Sequence, residues 1–351
     1  MKIFLTGGTG FIGAALVRAM RRRNWEVRAL VRDPHGKPAQ WLQSQGVAVA
    51  AGDVTQSASL RDLVSGTDVV MHNAGVYELG VNRAAAERMR AVNVEGTKHV
   101  LAAALEAGVP RCVYVSTVWA LGPSGWLPAP SLVKDETQRP SGAYLTAYEK
   151  SKAEAHQVAL EYRAKGLPLI IVMPNAVMGA NDHSALGYFL RLYLLGALPP
   201  IAWGADAVIG FVDVDALADG ICLAAEKAPI GEDYVFSGEA MSVRDLFGCW
   251  SRYPGHVQWR IFLPRPLIRL PMALMEPMLR SLDLPAFMSR DTVDVTRAHL
   301  NYTSAKAQRD LGWSHPDVQT MWDGIVGRER ELMGRRKGFL NRLRHQAVVP
   351  D

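Results

Sequence analysis

The stretch KIFLTGGTGFIG at residues 2–13 decides the fold of this 351-residue chain. It joins a short apolar run to a glycine-rich turn, and an alanine-rich helical pattern that reaches Arg23 follows at once. Gly7 permits the sharp exit from a strand, Gly10 lets backbone approach a pyrophosphate, and Gly13 lets helix pack closely on strand. The start of the helix then offers free N–H groups to phosphate oxygens. The expected dinucleotide contacts are Gly7, Thr9, Gly10, Phe11, Ile12 and Gly13.

Short β-branched runs alternate with longer helical patterns through the first half of the chain. Such alternation predicts an α/β fold in which βαβ units build a Rossmann-type, doubly wound parallel sheet. The crossovers at residues 75–108 and 144–166 are predicted as long helices, each closed by a glycine. The predicted strands occupy residues 2–6, 26–31, 47–51, 68–72, 111–116 and 167–173.

The pattern loosens after Pro174, where Pro, Gly and Trp become more frequent. We therefore predict a dinucleotide-binding domain over residues 1–175 and an interleaved, smaller, mostly helical substrate-binding region over residues 176–333. A basic, flexible tail is expected over residues 334–351. Short strands near residues 209–215 and 233–237 are expected to complete the sheet.

Charge and composition exclude several classes of protein. The formal net charge is +5, but five basic residues lie in the last eighteen positions, so the body of the chain is nearly neutral. A nucleic-acid-binding protein needs a basic stripe on a folded face, so no nucleic-acid partner is expected. The three cysteines are too few and too scattered for a local metal motif or a disulfide framework, and no metal is expected.

No secretory signal is recognised before the first strand, and no apolar stretch reaches eighteen residues, so a cytoplasmic protein without a transmembrane segment is expected. The most apolar segment, residues 261–284, is interrupted by four prolines and several charges. It is interpreted either as a helical lid or as a segment that lies on a membrane surface. Peripheral membrane contact by this segment and the basic tail is therefore an open hypothesis.

Tyr148 and Lys152 lie four positions apart in a helical pattern, so their side chains share one helix face. An ammonium group beside a phenol favours the phenolate and lowers the pKa of the phenol, which makes the pair a usable acid and base. Thr117 follows the fifth predicted strand, at the sheet edge where ligands of open α/β sheets bind. The sequence therefore predicts that these three residues form a catalytic group.

Together these segments resemble the extended short-chain dehydrogenase/reductase family, within the NAD-dependent epimerase/dehydratase superfamily. The similarity is greatest to the branch of dihydroflavonol-reductase-like and 3β-hydroxysteroid-dehydrogenase-like proteins, and it covers nearly the whole chain. The segments that carry it are residues 6–13, Asp53 with Val54, Asn93, Ser116 with Thr117, residues 148–152, residues 213–215 and residues 304–313.

The resemblance implies a role for each residue of the catalytic group. Tyr148 would protonate the substrate oxygen, and Lys152 would also hold the nicotinamide ribose. Thr117 would orient that oxygen, with the neighbouring Ser116 as the alternative. Asn93 would support a proton-relay water, or it would simply bond backbone within its own helix. The family also implies a homodimer through the two long crossover helices.

Further cofactor contacts follow from the same resemblance. Asp53 and Val54 would contact the adenine. His72 is interpreted as a buried, hydrogen-bonded histidine rather than a catalytic one. The residues that would line the cleft or contact the cofactor farther along the chain are Asn73, Ala74, Gly75, Pro174 and Asn175.

Arg32 directly follows the second predicted strand, where an NADP-binding fold places a cation for the 2′-phosphate. Lys37 would add a second positive charge. Asp33 would instead accept a hydrogen bond from the ribose hydroxyl of NAD, so NADP(H) is favoured and NAD(H) stays open.

Aromatic residues in loops after the strands predict a pocket for an apolar or ring-bearing ketone, aldehyde or secondary alcohol. The candidates are Tyr77, Trp119, Asn175 and Tyr188, with Glu78 and Trp203 nearby. Gly122 stands where flavonoid reductases carry a substrate-binding asparagine. The resemblance therefore implies the reaction type and not the substrate.

The main alternative is a nucleotide-sugar epimerase or dehydratase that keeps NAD tightly bound. Many such enzymes carry a diphosphate-binding arginine where this chain has Ile209 and Gly210, although Arg191 or Arg290 could substitute. A third hypothesis is a non-catalytic cofactor-sensing protein. Such relatives commonly lose the tyrosine or the lysine that this chain retains.

Overall fold

A parallel β-sheet lies at the centre of the structure. The computed structural model describes residues 1–58, 60–140, 142–253, 260–282, 284 and 287–344. Its strands are β1 (Lys2–Thr6), β2 (Glu26–Val31), β3 (Ala48–Ala51), β4 (Val69–His72), β5 (Cys112–Val115), β6 (Gly125–Trp126), β7 (Leu169–Pro174), β8 (Ala176–Met178), β9 (Ile201–Ala202), β10 (Val208–Asp213), β11 (Asp233–Phe236), β12 (Ala240–Ser242), β13 (Ile261–Phe262) and β14 (Ala298–His299).

Helices connect these strands. A π-helical segment, Ala91–Glu95, joins the fourth and fifth helices, and short 3₁₀ turns form at Val118–Ala120 and Val295–Arg297. The α-helices are α1 (Phe11–Arg22), α2 (Lys37–Ser44), α3 (Leu60–Val64), α4 (Arg83–Arg90), α5 (Gly96–Glu106), α6 (Ala147–Ala164), α7 (Ala185–Leu194), α8 (Val214–Lys227), α9 (Val243–Trp250), α10 (Arg265–Ser281), α11 (Arg290–Asp294), α12 (Ala305–Leu311), α13 (Val318–Gly334) and α14 (Phe339–Leu343).

The main sheet has seven parallel strands in the order β11-β7-β5-β4-β1-β2-β3, which confirms the predicted Rossmann-type fold. Successive side chains of a strand point to opposite faces. Along β1, Ile3 and Leu5 therefore pack beneath α1 and α8, whereas Phe4 packs beneath α5 and α6. Both faces are covered, so β4, β5 and β7 are buried along their whole length, as parallel strands usually are.

The helix of the first long crossover, predicted within residues 75–108, begins later than expected. It begins only at Arg83, where the Asn82 side chain accepts a hydrogen bond from the Ala85 N–H. The preceding residues form a loop that contributes to the site described below. Gly108 and Gly166, with φ of +65° and +95°, follow the C-terminal caps of α5 and α6, so the predicted glycine stops are confirmed.

The predicted completion of the sheet is correct at one segment and wrong at the other. Strand β11 pairs with β7 in the main sheet, but β10 pairs with β8 and β12 in a separate three-stranded sheet. The chain leaves the main sheet after Pro174, where the Asn175 amide Nδ2 donates to the Leu300 carbonyl oxygen at 2.8 Å. The edge beside β7 is then occupied by β11, and β10 cannot reach it.

The helical region has a core of its own between α7, α9, α13 and the segment before α11. It contains the Arg191–Glu329 pair, whose side chains are 0% and 1% exposed and whose Nη1 and Oε1 atoms lie 3.6 Å apart. Arg191 Nε also donates to the Leu343 carbonyl oxygen at 2.7 Å.

The flexible tail predicted from residue 334 is wrong for the part that the structure describes. Residues 339–343 form α14, and Leu343 is buried. The anchoring of α14 on α7 through Arg191 explains why this basic segment is ordered. Residues 345–351 lie outside the described part of the chain. Across the residues that are described, we find no helix that is both long and apolar enough to cross a membrane.

Candidate active site

Two cavities meet at the C-terminal edge of the main sheet. The first, which we call the cleft, runs along the glycine turn and has a volume of about 280 Å³. The second, which we call the apolar cavity, extends into the helical region and has a volume of about 160 Å³. Their shared wall is formed by Tyr77, Trp119, Tyr148, Ala176 and Leu186.

The glycine turn between β1 and α1 has no room for side chains at two of its glycines. Gly7 has a φ of +73°, and a Cβ atom there would lie 2.7 Å from the Ala74 nitrogen. A Cβ atom on Gly13 would lie 2.0 Å from the Gly7 carbonyl oxygen. No side chain caps α1 at Gly10, so its first N–H groups are left to the cleft, which Gly10, Phe11 and Ile12 line. This turn therefore fits the pyrophosphate of a dinucleotide.

The end of β4 holds the turn in place. The Asn73 amide Nδ2 donates to the Gly7 carbonyl oxygen at 3.3 Å, and the Ala74 N–H donates to Thr6 Oγ1 at 3.1 Å. His72 is fully buried, with its two ring nitrogens 2.7 and 2.9 Å from the hydroxyls of Thr6 and Thr97. Burial, with a smaller contribution from Lys152, lowers the pKa of His72 to about 3. His72 is thus a neutral structural residue, as its sequence context indicated.

Tyr148 is half-buried near the start of α6. Its ring lies edge to face with the Tyr77 ring, at 4.7 Å between centroids. Burial raises the pKa of the Tyr148 phenol, and a hydrogen bond with the Thr117 side chain lowers it by a smaller amount. The phenol is therefore protonated at neutral pH and can donate a proton.

Lys152 lies one turn farther along α6 and is also buried. Its Nζ donates to the Val115 carbonyl oxygen at 3.1 Å and lies 5.1 Å from the centroid of the Tyr114 ring. Burial lowers the pKa of Lys152 to about 8. We expected this ammonium to lower the pKa of Tyr148, and that expectation is wrong. The pKa of the phenol is raised instead, because burial outweighs every other influence on it.

Asn93 lies in the π-helical segment and bonds to a distant loop instead of its own helix. Its Oδ1 accepts from the Val76 N–H at 2.7 Å, while its Nδ2 donates to the Val76 carbonyl oxygen at 3.0 Å and to Ser151 Oγ at 2.9 Å. Asn93 therefore fixes the loop that carries Tyr77 against α6. Its predicted role in a proton relay remains a prediction.

Thr117 lies between β5 and the 3₁₀ turn that follows, and its side chain lines the cleft. Its Oγ1 donates to the Pro174 carbonyl oxygen at 3.2 Å. Ser116 Oγ lies 3.0 Å from His156 Nδ1. Asn175 also lines the cleft, but its amide holds the chain at the end of β7. Of the two hydroxyls, that of Thr117 forms the side-chain hydrogen bond that lowers the pKa of the Tyr148 phenol.

The residues predicted for the adenosine end lie outside the lining of both cavities. Arg32 and Lys37 are exposed, beyond the end of β2 and at the start of α2. Asp33 Oδ1 accepts from the His35 N–H at 2.9 Å, and Asp53 Oδ1 accepts from the Thr55 N–H at 2.8 Å. Both carboxylates are thus engaged in local turns. Thr9, Asp53 and Val54 remain predicted contacts.

The apolar cavity contains two of the predicted substrate residues, Tyr77 and Trp119, and also Trp203. Tyr188 does not line either cavity: it is 1% exposed and stacks on Phe287 at 4.6 Å. The prediction for Tyr188 is therefore corrected, because the side of α7 that carries it turns into the core. The sequence alone did not identify several lining residues, namely Leu79, Leu186, Phe189, Ile201, Leu246, Phe247 and Trp250.

One carboxylate also lines the apolar cavity. Glu149 is 2% exposed, and its Oε2 accepts from the Leu145 N–H at 2.7 Å while the Thr146 side chain accepts from the Glu149 N–H at 3.2 Å. Burial is the main reason why the pKa of Glu149 is raised to about 7. The pattern Thr-x-x-Glu at a helix start could have identified this capping arrangement from the sequence.

The arginines that were considered for a diphosphate do not reach the site. Arg191 is buried against Glu329, and Arg290 is an exposed partner of Glu276. Position 210 has no room for a side chain, because a Cβ atom there would lie 2.1 Å from Ser237 Oγ. Within the described residues, no Lys or Arg lines the apolar cavity.

Comparisons with known proteins agree with this geometry. Residues 3–236 match the model of the NAD dependent epimerase/dehydratase family. The chain is 29% identical over 336 residues to a putative dihydroflavonol 4-reductase of Synechocystis sp., covering 92% of this chain and 93% of that protein. It is 31% identical over 242 residues to the 4-hydroxy-2-methyl-3-oxo-4-farnesyl-3,4-dihydroquinoline-1-oxide ketoreductase of Stigmatella aurantiaca, covering 68% of this chain and 69% of that protein. The crystal structure of gox2253 aligns with a TM-score of 0.77 and 29% identity, over 95% of this chain and 99% of that one.

Proposed function

Because the chain belongs to the NAD-dependent epimerase/dehydratase family and is an NAD(P)-dependent enzyme of the extended short-chain type, we propose that it interconverts an apolar ketone and its secondary alcohol with NADP(H). The observation that carries the proposal is the position of Tyr148 in the wall between the cleft and the apolar cavity. A proton donor at that wall can reach a carbonyl group that enters from the apolar side. An aldehyde would be reduced in the same way.

The glycine turn and the end of β4 would hold the dinucleotide, whose nicotinamide ring supplies the hydride when it is bound. The carbonyl carbon would gain that hydride, and the carbonyl oxygen would gain the proton of the Tyr148 phenol. Burial keeps this phenol protonated, so it is available as an acid at neutral pH. Thr117 would hold the oxygen by a hydrogen bond, and Lys152, still charged below about pH 8, would bind the ribose and favour the phenolate that forms.

The preference for NADP(H) rests on charge at the end of β2. Arg32 and Lys37 are exposed cations there, and a 2′-phosphate needs such cations. The Asp33 carboxylate, which would favour NAD(H), accepts the His35 N–H through one of its two oxygens, so the proposal rests on the two cations. These contacts favour NADP(H).

The substrate class rests on the lining of the apolar cavity, which is formed mainly by aliphatic and aromatic side chains. The one carboxylate in it, Glu149, would repel a diphosphate when it is ionised, and the cavity offers no cation to offset that repulsion among the described residues. A relative named as a ketoreductase of a farnesyl-bearing quinoline supports an apolar ring-bearing ketone. Tyr77 and Trp119 would contact the ring system, because both lie beside Tyr148.

A nucleotide-sugar epimerase or dehydratase is the second candidate, and the family description favours it. Such an enzyme would use the same Tyr148, Lys152 and Thr117 but would need cations for the diphosphate. The blocked position 210 and the buried Arg191 argue against it. The homodimer and the roles of Asn93 and Asn175 stay predictions.

The deciding experiment is titration with NADPH and with NADH, followed by absorbance at the nicotinamide band with two substrate panels. One panel holds apolar ring-bearing ketones, and the other holds UDP- and GDP-sugars. Tighter binding of NADPH and net oxidation of NADPH on ketones are expected. An epimerase would instead retain NAD(H), show no net oxidation and alter the sugar. A cofactor-sensing protein would bind the nicotinamide dinucleotide and turn over neither panel.

A further inference from the structure

Helix α10 exposes a row of large apolar side chains. Five large apolar side chains are exposed on it and at its C-terminal cap, at 64, 67, 69, 46 and 40%. Their spacing of three or four residues puts them on one face, which we call the apolar stripe. The apolar stripe consists of Leu267, Leu270, Leu274, Met278 and Leu282.

The charged residues of α10 lie on the other side of the helix, toward the protein. Arg269 pairs with Asp294 at 3.2 Å, Arg280 with Glu78 at 3.5 Å, and Glu276 with Arg290 at 3.8 Å. A surface helix of a water-soluble protein normally turns its charges outward and its apolar residues inward. Here the outer face carries the apolar residues, and three of the four charged side chains of α10 form ion pairs with neighbouring elements. The apolar stripe therefore fits an apolar environment better than water.

A cationic segment adjoins the stripe. Residues 334–344 contain five Lys or Arg and no Asp or Glu. Arg335 pairs with Glu331 and Arg336 is buried, so Lys337 and Arg342 are the main cations that this segment presents to solvent. This segment is attached to the stripe, because Arg344 Nη2 donates to the Leu282 carbonyl oxygen at 2.8 Å. Its helix α14 exposes Phe339 and Leu340 at 50 and 40%. Lys337 and Arg342 are exposed beside them.

The same surface adjoins the apolar cavity. Arg265, the first residue of α10, donates through Nε to Thr296 Oγ1 at 3.1 Å, and Thr296 lines the cavity. Ile201 lines the cavity as well and is 41% exposed, and its strand partner Ile261 is 51% exposed. Exposed apolar groups thus extend from the cavity wall to the helix that carries the stripe.

We infer that the apolar stripe and residues 334–344 form a docking surface for an anionic lipid membrane. The leucines and Phe339 would enter the interfacial region, and the exposed Lys337 and Arg342 would bind lipid phosphates. Apolar residues and cations together hold interfacial helices on bilayers. This inference extends the proposed function, since an apolar ketone would then reach the cavity from the bilayer. The docking itself does not require turnover.

The test is co-sedimentation of the full-length protein with vesicles of phosphatidylcholine, with and without phosphatidylglycerol, at about 0.1 M and about 1 M salt. Wild type is expected to bind the anionic vesicles, more strongly at the lower salt concentration. The double variant Leu267→Asp/Leu274→Asp should lose at least about tenfold in partitioning, because charges replace two exposed leucines, one at the start and one in the middle of the stripe. The matched control is Leu132→Asp/Val133→Asp, which makes the same change at an exposed apolar pair in a loop away from α10 and should bind like wild type.

A second variant, Lys337→Glu/Arg342→Glu, should lose binding to anionic vesicles mainly at the lower salt concentration. Absence of vesicle binding by wild type at 0.1 M salt, or equal binding by the Leu267/Leu274 variant, would overturn the inference. A dimer that sedimentation velocity detects without lipid, and that this variant abolishes, would assign the stripe to a second copy of the chain. If vesicle binding depends on the stripe but no ketone is turned over, the docking surface stands and the proposed function fails.

Discussion

The Tyr77 and Tyr148 rings lie edge to face, 4.7 Å apart, in the wall that separates the cleft from the apolar cavity. Tyr77 belongs to the loop after β4, and Asn93 holds that loop through both polar backbone groups of Val76. The proton donor of α6 is thus positioned by a loop that also lines the apolar cavity. Changes in this loop are expected to affect substrate binding and the orientation of Tyr148 together.

Tyr148→Phe should bind NADPH with unchanged affinity and lose turnover by about 10²–10⁴-fold, because the ring packing stays and the proton donor is removed. Tyr77→Phe is the matched control: it removes a phenol from the same ring pair and should change kcat by less than about tenfold. Steady-state rates with an apolar ketone and fluorescence titration with NADPH measure both. Equal losses in the two variants would remove Tyr148 from its assigned role.

Arg32→Ala should weaken the binding of NADPH by about tenfold or more and leave the binding of NADH nearly unchanged, because one charge-assisted bond to a phosphate is worth about 1.5–3 kcal/mol. Arg28→Ala serves as the control, since Arg28 is an exposed arginine on the same strand. Parallel titrations with the two dinucleotides give the ratio of their Kd values. An unchanged ratio in Arg32→Ala would contradict the assignment.

Lys152→Met should stabilise the protein at pH 7 while it abolishes turnover. Burial lowers the pKa of Lys152 to about 8 from 10.5, so the folded state binds fewer protons than the unfolded state between these values, and stability rises with pH there. Replacing the buried charge removes this cost but leaves the Val115 carbonyl oxygen without its donor, so we expect a net gain of about 1–2 kcal/mol.

Denaturant unfolding at pH 7 and pH 10 measures this effect, and the gain should shrink at pH 10. The control is Lys150→Met on the exposed side of the same helix, which should show no such dependence. A variant less stable than wild type at pH 7 would show that Lys152 does not carry a buried positive charge.

Glu149→Gln should stabilise the protein increasingly as the pH rises from 5 to 8. The pKa of Glu149 is raised to about 7, mainly by burial, so the folded state binds more protons than the unfolded state between pH 4.5 and 7, and wild type loses stability across that range. Glutamine keeps the capping bond to the Leu145 N–H and cannot ionise, so the difference at pH 8 should reach about 2–3 kcal/mol.

Glu161→Gln, at an exposed position of the same helix, is the matched control. Unfolding midpoints at pH 5, 6, 7 and 8 trace the difference between each variant and wild type. A constant difference across this range for Glu149→Gln would mean that Glu149 ionises as an ordinary exposed carboxyl does.

Local rules made the first half of the chain predictable from its sequence. The period of the apolar residues fixed the strands, and Gly7 and Gly13 occupy positions where a Cβ atom would collide with backbone. The spacing of Tyr148 and Lys152 put them on one helix face. Each of these features depends on residues that are close in sequence or on steric limits of single residues, so no tertiary information was needed.

Only the tertiary structure decided the rest. It separated β10 from the main sheet, buried Tyr188 and Arg191, and ordered α14 against α7, all through contacts between residues far apart in the chain. It also raised the pKa of Tyr148, which the neighbouring lysine alone would have lowered. The sequence determined which groups could react and which turn could hold a dinucleotide, because these are local properties. Burial and long-range contacts decided where those groups lie and how they titrate, because both depend on the whole packed chain.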